Sequence, residues 1–190
     1  MRPWLVLHAF GIKFAEKPIP FDGCSESSHF KQSLAKYSPA GRAPLLQCSS
    51  SARPQADPLI IWETLAIIEY IAEQNPQLEN WPRNVALRAQ ARSLGAEMHS
   101  GFFALRRQCP MNIKADLPQI GRLLWRDKFL VRKDIHRIET AWRNILKLSK
   151  GPFLAREFTA LDAFLRSCHH AYSDLQTACF RKYSPVYAAY

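Results

Sequence analysis

Long apolar runs are missing from this sequence. None approaches the roughly 20 residues that a membrane-spanning helix needs, so the chain does not read as a helical membrane protein and no membrane partner is expected. A secretory leader is missing as well. One arginine and a short apolar stretch stand at the start, but His8, Lys13 and Glu16 interrupt it and no small-residue cleavage site follows. No Cys-x-x-Cys occurs. The cysteines (Cys24, Cys48, Cys109, Cys168 and Cys179) are odd in number and widely spaced, which fits free thiols in a reducing cytoplasm better than a disulfide frame. His169-His170 does not suggest a metal site, because adjacent residues face different sides of a helix and no second ligand cluster appears. Acidic residues are outnumbered, 16 against 26 basic, for a formal charge of +10. The cations come only in short doublets such as Arg106-Arg107 and Arg132-Lys133, without zinc-finger spacing or the glycine-aromatic signature of RNA-binding modules. A solvated basic surface, with no nucleic-acid partner, is the expectation.

What is present is ordered segmentation. Pro3 suits a first helical turn, and Trp4, Leu5, Leu7 and His8 form a face that stops at Gly11. "FAEKPIPF" reads as a short strand weakened by Pro18 and Pro20. "SSHFKQSLAKYSP" has serine caps and Phe30, Leu34 and Tyr37 at helical spacing. "APLLQ" and "PLIIW" pair as a hairpin around an enlarged serine-rich loop, and "ETLAIIEYIAEQNP" is a helix stopped by Pro76. Helix and strand in this order imply an α/β layer.

From Trp81 onward no convincing strand is found. Residues 84–108 read as one long amphipathic helix with Leu87, Ala91, Leu94, Met98 and Phe102 on a stripe. Residues 132–151 are a second, with Ile135, Ile138, Trp142, Ile145 and Leu148 inward and Gly151 as its stop. "FTALDAFLRSC" is a third, opened by the capping-box-like pair Thr159 and Asp162. His99, His136 and Trp142 read as structural residues. The expected organisation is a domain at 1–75, a linker at 76–82 and a helical domain at 83–190.

Three features occur in a fixed order: "SPAGRAPLL" with Pro44 ahead of a strand, Glu63-Thr64 opening the helix after the next strand, and the Thr159-to-Asp162 box. Together they resemble the cytosolic glutathione S-transferase family, over roughly residues 2 to 163, and residues 96–113 resemble the long helix of its bacterial members. The resemblance implies an α/β, thioredoxin-like N-terminal domain followed by an all-α C-terminal domain. It also implies a cytoplasmic enzyme that uses glutathione as co-substrate and forms homodimers.

Carried onto this sequence, the resemblance makes Ala43-Pro44 a cis peptide, with Ala43 exchanging main-chain hydrogen bonds with the cysteinyl unit of glutathione. Glu63 and Thr64 bind the γ-glutamyl end, and Arg42 meets the glycine carboxylate. The ordinary alternative for Glu63 and Thr64 is helix capping, and for Arg42 a solvated turn. Met98, Phe102 and Arg106 would line the pocket for a small hydrophobic electrophile between the domains, although the same stripe is equally expected as core.

The family's catalytic donor lies in a loop after a first strand. Here only "RPWLVL" of that region matches, so no catalytic residue is assigned, and the domain is expected to lack its first strand. The polar tail at 164–190 departs from the family's apolar helices and reads as aberrant, a frame change in the gene being one source. The leading expectation is a transferase homologue whose activity is impaired. The alternative is a non-catalytic glutathione-transferase-like binding or assembly module.

Overall fold

Helix α1 (Arg2–Ala9) opens the chain in the computed structural model, which describes residues 2–23, 25–49, 57–110 and 117–165. The helix ends as the sequence predicts. Gly11 takes a φ of 64°, its N–H donates to the His8 carbonyl (3.1 Å), and the Ile12 N–H reaches back to Leu7 (2.9 Å). That is a Schellman closure, in which glycine alone escapes the left-handed penalty. The buried face differs from the expected one: Pro3, Val6 and Leu7 point inward. Trp4 and His8 lie outside instead, their rings 4.0 Å apart, both reaching Glu16.

Two compact units make up the chain, residues 1–78 and 79–190. In the first, α2 (His29–Ala35) is started by Ser28, whose hydroxyl accepts the Lys31 N–H. The Asp22 carboxylate accepts the N–H groups of Phe30 and His29 at 2.9 Å each, and the Phe30 bond above all holds its carboxyl below the usual range. Strands β1 (Leu45–Cys48) and β2 (Leu59–Trp62) pair antiparallel, and α3 (Thr64–Gln74) packs Ile67, Ile68 and Ile71 against α1 and the hairpin. Each such fully buried aliphatic side chain contributes on the order of 1.5–3 kcal/mol. The strand expected at 14–21 does not form. Pro18 and Pro20 have no N–H to offer a ladder, and β1 and β2 are the whole sheet among the described residues.

The second unit is helical, its extended pairing limited to isolated bridges at Phe153–Arg156 and Ala155–Glu157 among the described residues. The single helix expected over 84–108 is two: α4 (Val85–Ser100), capped by the Asn84 side chain on the Leu87 N–H, and α5 (Phe103–Gln108). The break is local. The Ser100 hydroxyl bonds back to the Ala96 carbonyl, Gly101 closes on Glu97, and Phe102 turns left-handed at φ 58°. A Cβ on Gly101 would stand 2.8 Å from the Glu97 carbonyl oxygen, so only glycine fits there.

Helix α6 (Pro118–Asp127) falls where no helix was expected, and α7 (Phe129–Ser149) starts three residues earlier than its predicted bound. Arg137 makes two bonds to Glu97 (2.8 and 2.6 Å), and the Leu105 N–H donates to Asp134 (3.0 Å), tying α7 to α4 and α5. Ile135, Ile138, Trp142 and Ile145 are buried as expected, but Leu148 is exposed and Ser149 takes its place. A 3.6-residue repeat carries position 148 off the stripe by the last turn.

Gly151 is not the left-handed stop. Lys150 adopts that conformation at φ 52°, and Gly151 admits the backbone of Arg156, whose Cα would lie 2.3 Å from any Cβ there. A further helix begins at residue 160, where Phe164 stacks on Trp81 (6.4 Å) and its ring faces Gly95. The tail at 166–190, with Cys168, Cys179 and His169-His170, lies outside the described residues, as does Cys24.

Candidate functional site

Strand register decides which residues meet. Leu45 lies opposite Trp62 at one end of the β1–β2 ladder, so the chain entering β1 (42–44) and the chain leaving β2 (63–64) emerge side by side. Five of the residues singled out in the sequence, Arg42, Ala43, Pro44, Glu63 and Thr64, therefore gather at one edge of the hairpin. The Ala43–Pro44 peptide is cis.

The loop before that peptide is held from behind. Ser38 is buried, its hydroxyl donates to the Arg42 carbonyl (2.9 Å), and it accepts the Arg42 N–H (3.1 Å). Lys31 Nζ donates to the carbonyl of Gly41 (3.3 Å), itself left-handed at φ 58°. With both backbone groups of Arg42 engaged, exposed Ala43 is the next peptide the loop presents. The sequence reading missed Ser38 and Lys31. The Ser-Pro-x-Gly composition at 38–41 is the available signal for a tight turn there.

Across the hairpin edge, α3 begins in an unusual way. Its N-cap Glu63 has φ 70° and ψ 131° and makes no side-chain cap bond, while its carbonyl accepts the Ile67 N–H. A left-handed backbone at a non-glycine residue costs on the order of 1 kcal/mol, and such residues cluster where ligands bind. The N–H groups of a first helical turn have no intrahelical acceptor and carry partial positive charge. Thr64 is buried behind them. Arg42 Nη1 stands 3.7 Å from Glu63 Oε1 in an exposed pair, too solvated to fix either side chain firmly. The arrangement can take an anion at the helix start, a cation at Glu63 and an extended peptide along Ala43. Farther along the same hairpin, Cys48 approaches Tyr70 and raises the phenol above its usual range, chiefly through their hydrogen bond.

The other three singled-out residues are scattered around the α4–α5 break. Met98 is buried in α4 on the Ala91 and Gly95 side. Phe102 is half-buried in the left-handed junction, and Arg106 folds its guanidinium back onto the carbonyls of His99 (3.0 Å) and Gly101 (3.5 Å). There it closes the end of α4. A groove of about 500 Å³ lies at the opposite end of this helix, lined by residues including Arg83, Asn84, Leu87, Leu148, Arg156 and Glu157. Along α4, Leu87 to Met98 is about 16 Å, and none of the three predicted pocket residues lines the groove. Among the described residues, no three His, Cys, Asp or Glu side chains converge as metal ligands would, and no helix is long and apolar enough to cross a membrane.

Residues 1–74 match the family model for the glutathione S-transferase N-terminal domain, less than half of the chain. The match ends at the last residue of α3, so it takes in the whole hairpin edge and none of the helical unit. No curated protein and no solved structure matches the chain. The N-terminal unit is glutathione S-transferase-like, and its small sheet with flanking helices fits a thioredoxin-like domain ahead of a helical one.

Proposed function

We propose that the N-terminal unit binds glutathione at the edge of the β1–β2 hairpin, and that the chain is a bacterial-type transferase homologue acting on small hydrophobic electrophiles. The observation that carries this reading is the pairing of the exposed Ala43 peptide with a helix start whose cap residue Glu63 takes a φ of 70°. Ala43 would exchange main-chain bonds with the cysteinyl unit, and Pro44 would set its direction. The N–H groups at the start of α3 and the Thr64 hydroxyl suit the γ-glutamyl carboxylate, and Glu63 suits its ammonium group. Arg42 would leave its exposed pair with Glu63 for the glycine carboxylate. The capping alternative for Glu63 is disfavoured, since its side chain caps nothing.

Met98, Phe102 and Arg106 are retained as the proposed electrophile side. A homodimer and a cytoplasmic setting complete the reading, the latter in keeping with Cys48 and Cys109, neither of which is in a disulfide. No residue is assigned the catalytic donor.

Calorimetric titration with glutathione tests the binding. The wild type is expected to bind, with Glu63→Ala and Thr64→Val each weakening affinity about tenfold, the value of one charge-assisted hydrogen bond. Met98→Ala and Arg106→Ala should leave glutathione affinity unchanged. A folded wild-type chain that takes up no glutathione overturns the proposal. Turnover of an aryl halide then separates a transferase from a glutathione-binding module that performs no chemistry.

A further inference from the structure

The corner between α6 and α7 exposes apolar side chains where a soluble helical unit would bury them. Only Lys128 separates the two helices. Within residues 120–130, Ile120 and Leu123 are 50% exposed, Trp125 38%, Phe129 66% and Leu130 60%. Single exposed apolar residues are ordinary, but five within eleven residues of sequence are an unusual concentration that calls for a partner.

Charge narrows the choice. Residues 117–133 carry Arg122, Arg126, Lys128, Arg132 and Lys133 against one carboxylate, Asp127, which Arg126 engages at 2.6 and 2.9 Å. That bond is the main cause holding the Asp127 carboxyl below its usual range, so Asp127 offsets one charge and the five basic residues still outnumber it. Arg132 donates to the carbonyls of Trp125 and Arg126 and lies 5.9 Å over the Phe129 ring, bracing the corner.

A second copy of this chain is a poor occupant, because a two-fold contact would set one cationic patch on another. Exposed phenylalanine and leucine with arginine and lysine close by in sequence are the composition of a segment that lies in a lipid interface.

We propose that the α6–α7 corner docks on an anionic lipid surface, with Leu123, Phe129 and Leu130 entering the interface and Arg122 and Lys128 meeting lipid phosphates. This goes beyond the sequence reading, which expected no membrane partner, and it is independent of the glutathione proposal.

Cosedimentation of the full chain with vesicles tests it. Binding is expected to vesicles of phosphatidylcholine mixed with phosphatidylserine, not to phosphatidylcholine alone, and to fall as salt is raised. Arg122→Glu with Lys128→Glu should weaken binding more than roughly 20-fold, at about fivefold per cation. Phe129→Ser with Leu130→Ser should weaken it about tenfold or more, and circular dichroism should be unchanged in both variants. Equal binding to phosphatidylcholine alone, or full binding by both folded variants, overturns the proposal. Capture on polyglutamate without vesicle binding overturns it in favour of an acidic protein partner. Self-association abolished by Phe129→Ser with Leu130→Ser overturns it in favour of a second copy.

Discussion

Two helices of this protein start in opposite ways. At α3 the cap residue Glu63 is left-handed, partly exposed and makes no side-chain cap bond. At residue 160 the start is sealed. Asp162, 2% exposed, accepts the Thr159 N–H (2.9 Å) and hydroxyl (3.2 Å) on one oxygen and the Leu154 N–H (3.2 Å) on the other. The Ala160 N–H goes to the Asn80 carbonyl (2.8 Å). A sealed start holds structure together, while at α3 the cap side chain makes no such bond. The same type of sequence signal, an acid beside a threonine at a helix entrance, thus serves two purposes, and burial decides which.

The largest expected effect breaks the sealed start. Burial pushes the Asp162 carboxyl up to about 6, against the hydrogen bonds from Thr159, Leu154 and its own N–H that pull it down. A carboxyl raised in the folded state contributes most below its unfolded value near 3.8 and loses that contribution as pH rises through about 6. A shift of that size corresponds to about 3 kcal/mol. Asp162→Ala should therefore cost about 5 kcal/mol at pH 4, where three orphaned donors each count on the order of 1–3 kcal/mol. At pH 7 the cost should shrink to about 3 kcal/mol, the part set by the orphaned donors, because the wild type has by then lost its linkage contribution. Urea unfolding of both proteins across this range measures the convergence, and parallel curves would refute it.

At the open start the effects are smaller and split between shape and charge. Glu63→Gly should raise stability by about 1 kcal/mol by relieving the left-handed backbone, yet bind glutathione about tenfold more weakly. Glu63→Ala should lose the binding without the gain. If the glycine variant is instead destabilised, Glu63 holds structure as Asp162 does, and the contrast between the two entrances fails. Smallest of all, Arg42→Ala should leave unfolding unchanged and weaken glutathione binding only a few-fold, since its pair with Glu63 is largely solvated. A loss as large as that of Glu63→Ala would move Arg42 into the core of the site.

Legibility followed the range of the interactions. The Gly11 stop, the hairpin and the Thr159–Asp162 box are set within a few residues, and each is visible in the sequence, whereas the cis bond at Pro44 follows only from the family resemblance. The meeting of residues 42–44 with 63–64 follows from the ladder once Leu45 faces Trp62. The helix break at Ser100–Gly101 was missed because the apolar stripe runs on through it, and periodicity does not register a backbone turn. Gly121 interrupts the apolar pattern of α6, which hid that helix. Leu148 was misplaced because a stripe that drifts with the helix was extended as though it were straight. Ser38 and Lys31, which hold the loop before Ala43, act through tertiary hydrogen bonds that no local pattern announces.

Tryptophan placement gives the two units different optical signatures. Trp4 and Trp62, both within residues 1–78, are 41% and 42% exposed, and Trp125 of the helical unit is similar at 38%, whereas Trp81 and Trp142, also of the helical unit, are 6% and 3% exposed. Indoles already in water change their emission little when the chain around them unfolds, while buried ones shift to longer wavelength. Intrinsic fluorescence of this protein therefore reports chiefly on its helical unit. A melting curve read that way would pass over the loss of the hairpin edge where glutathione is proposed to bind.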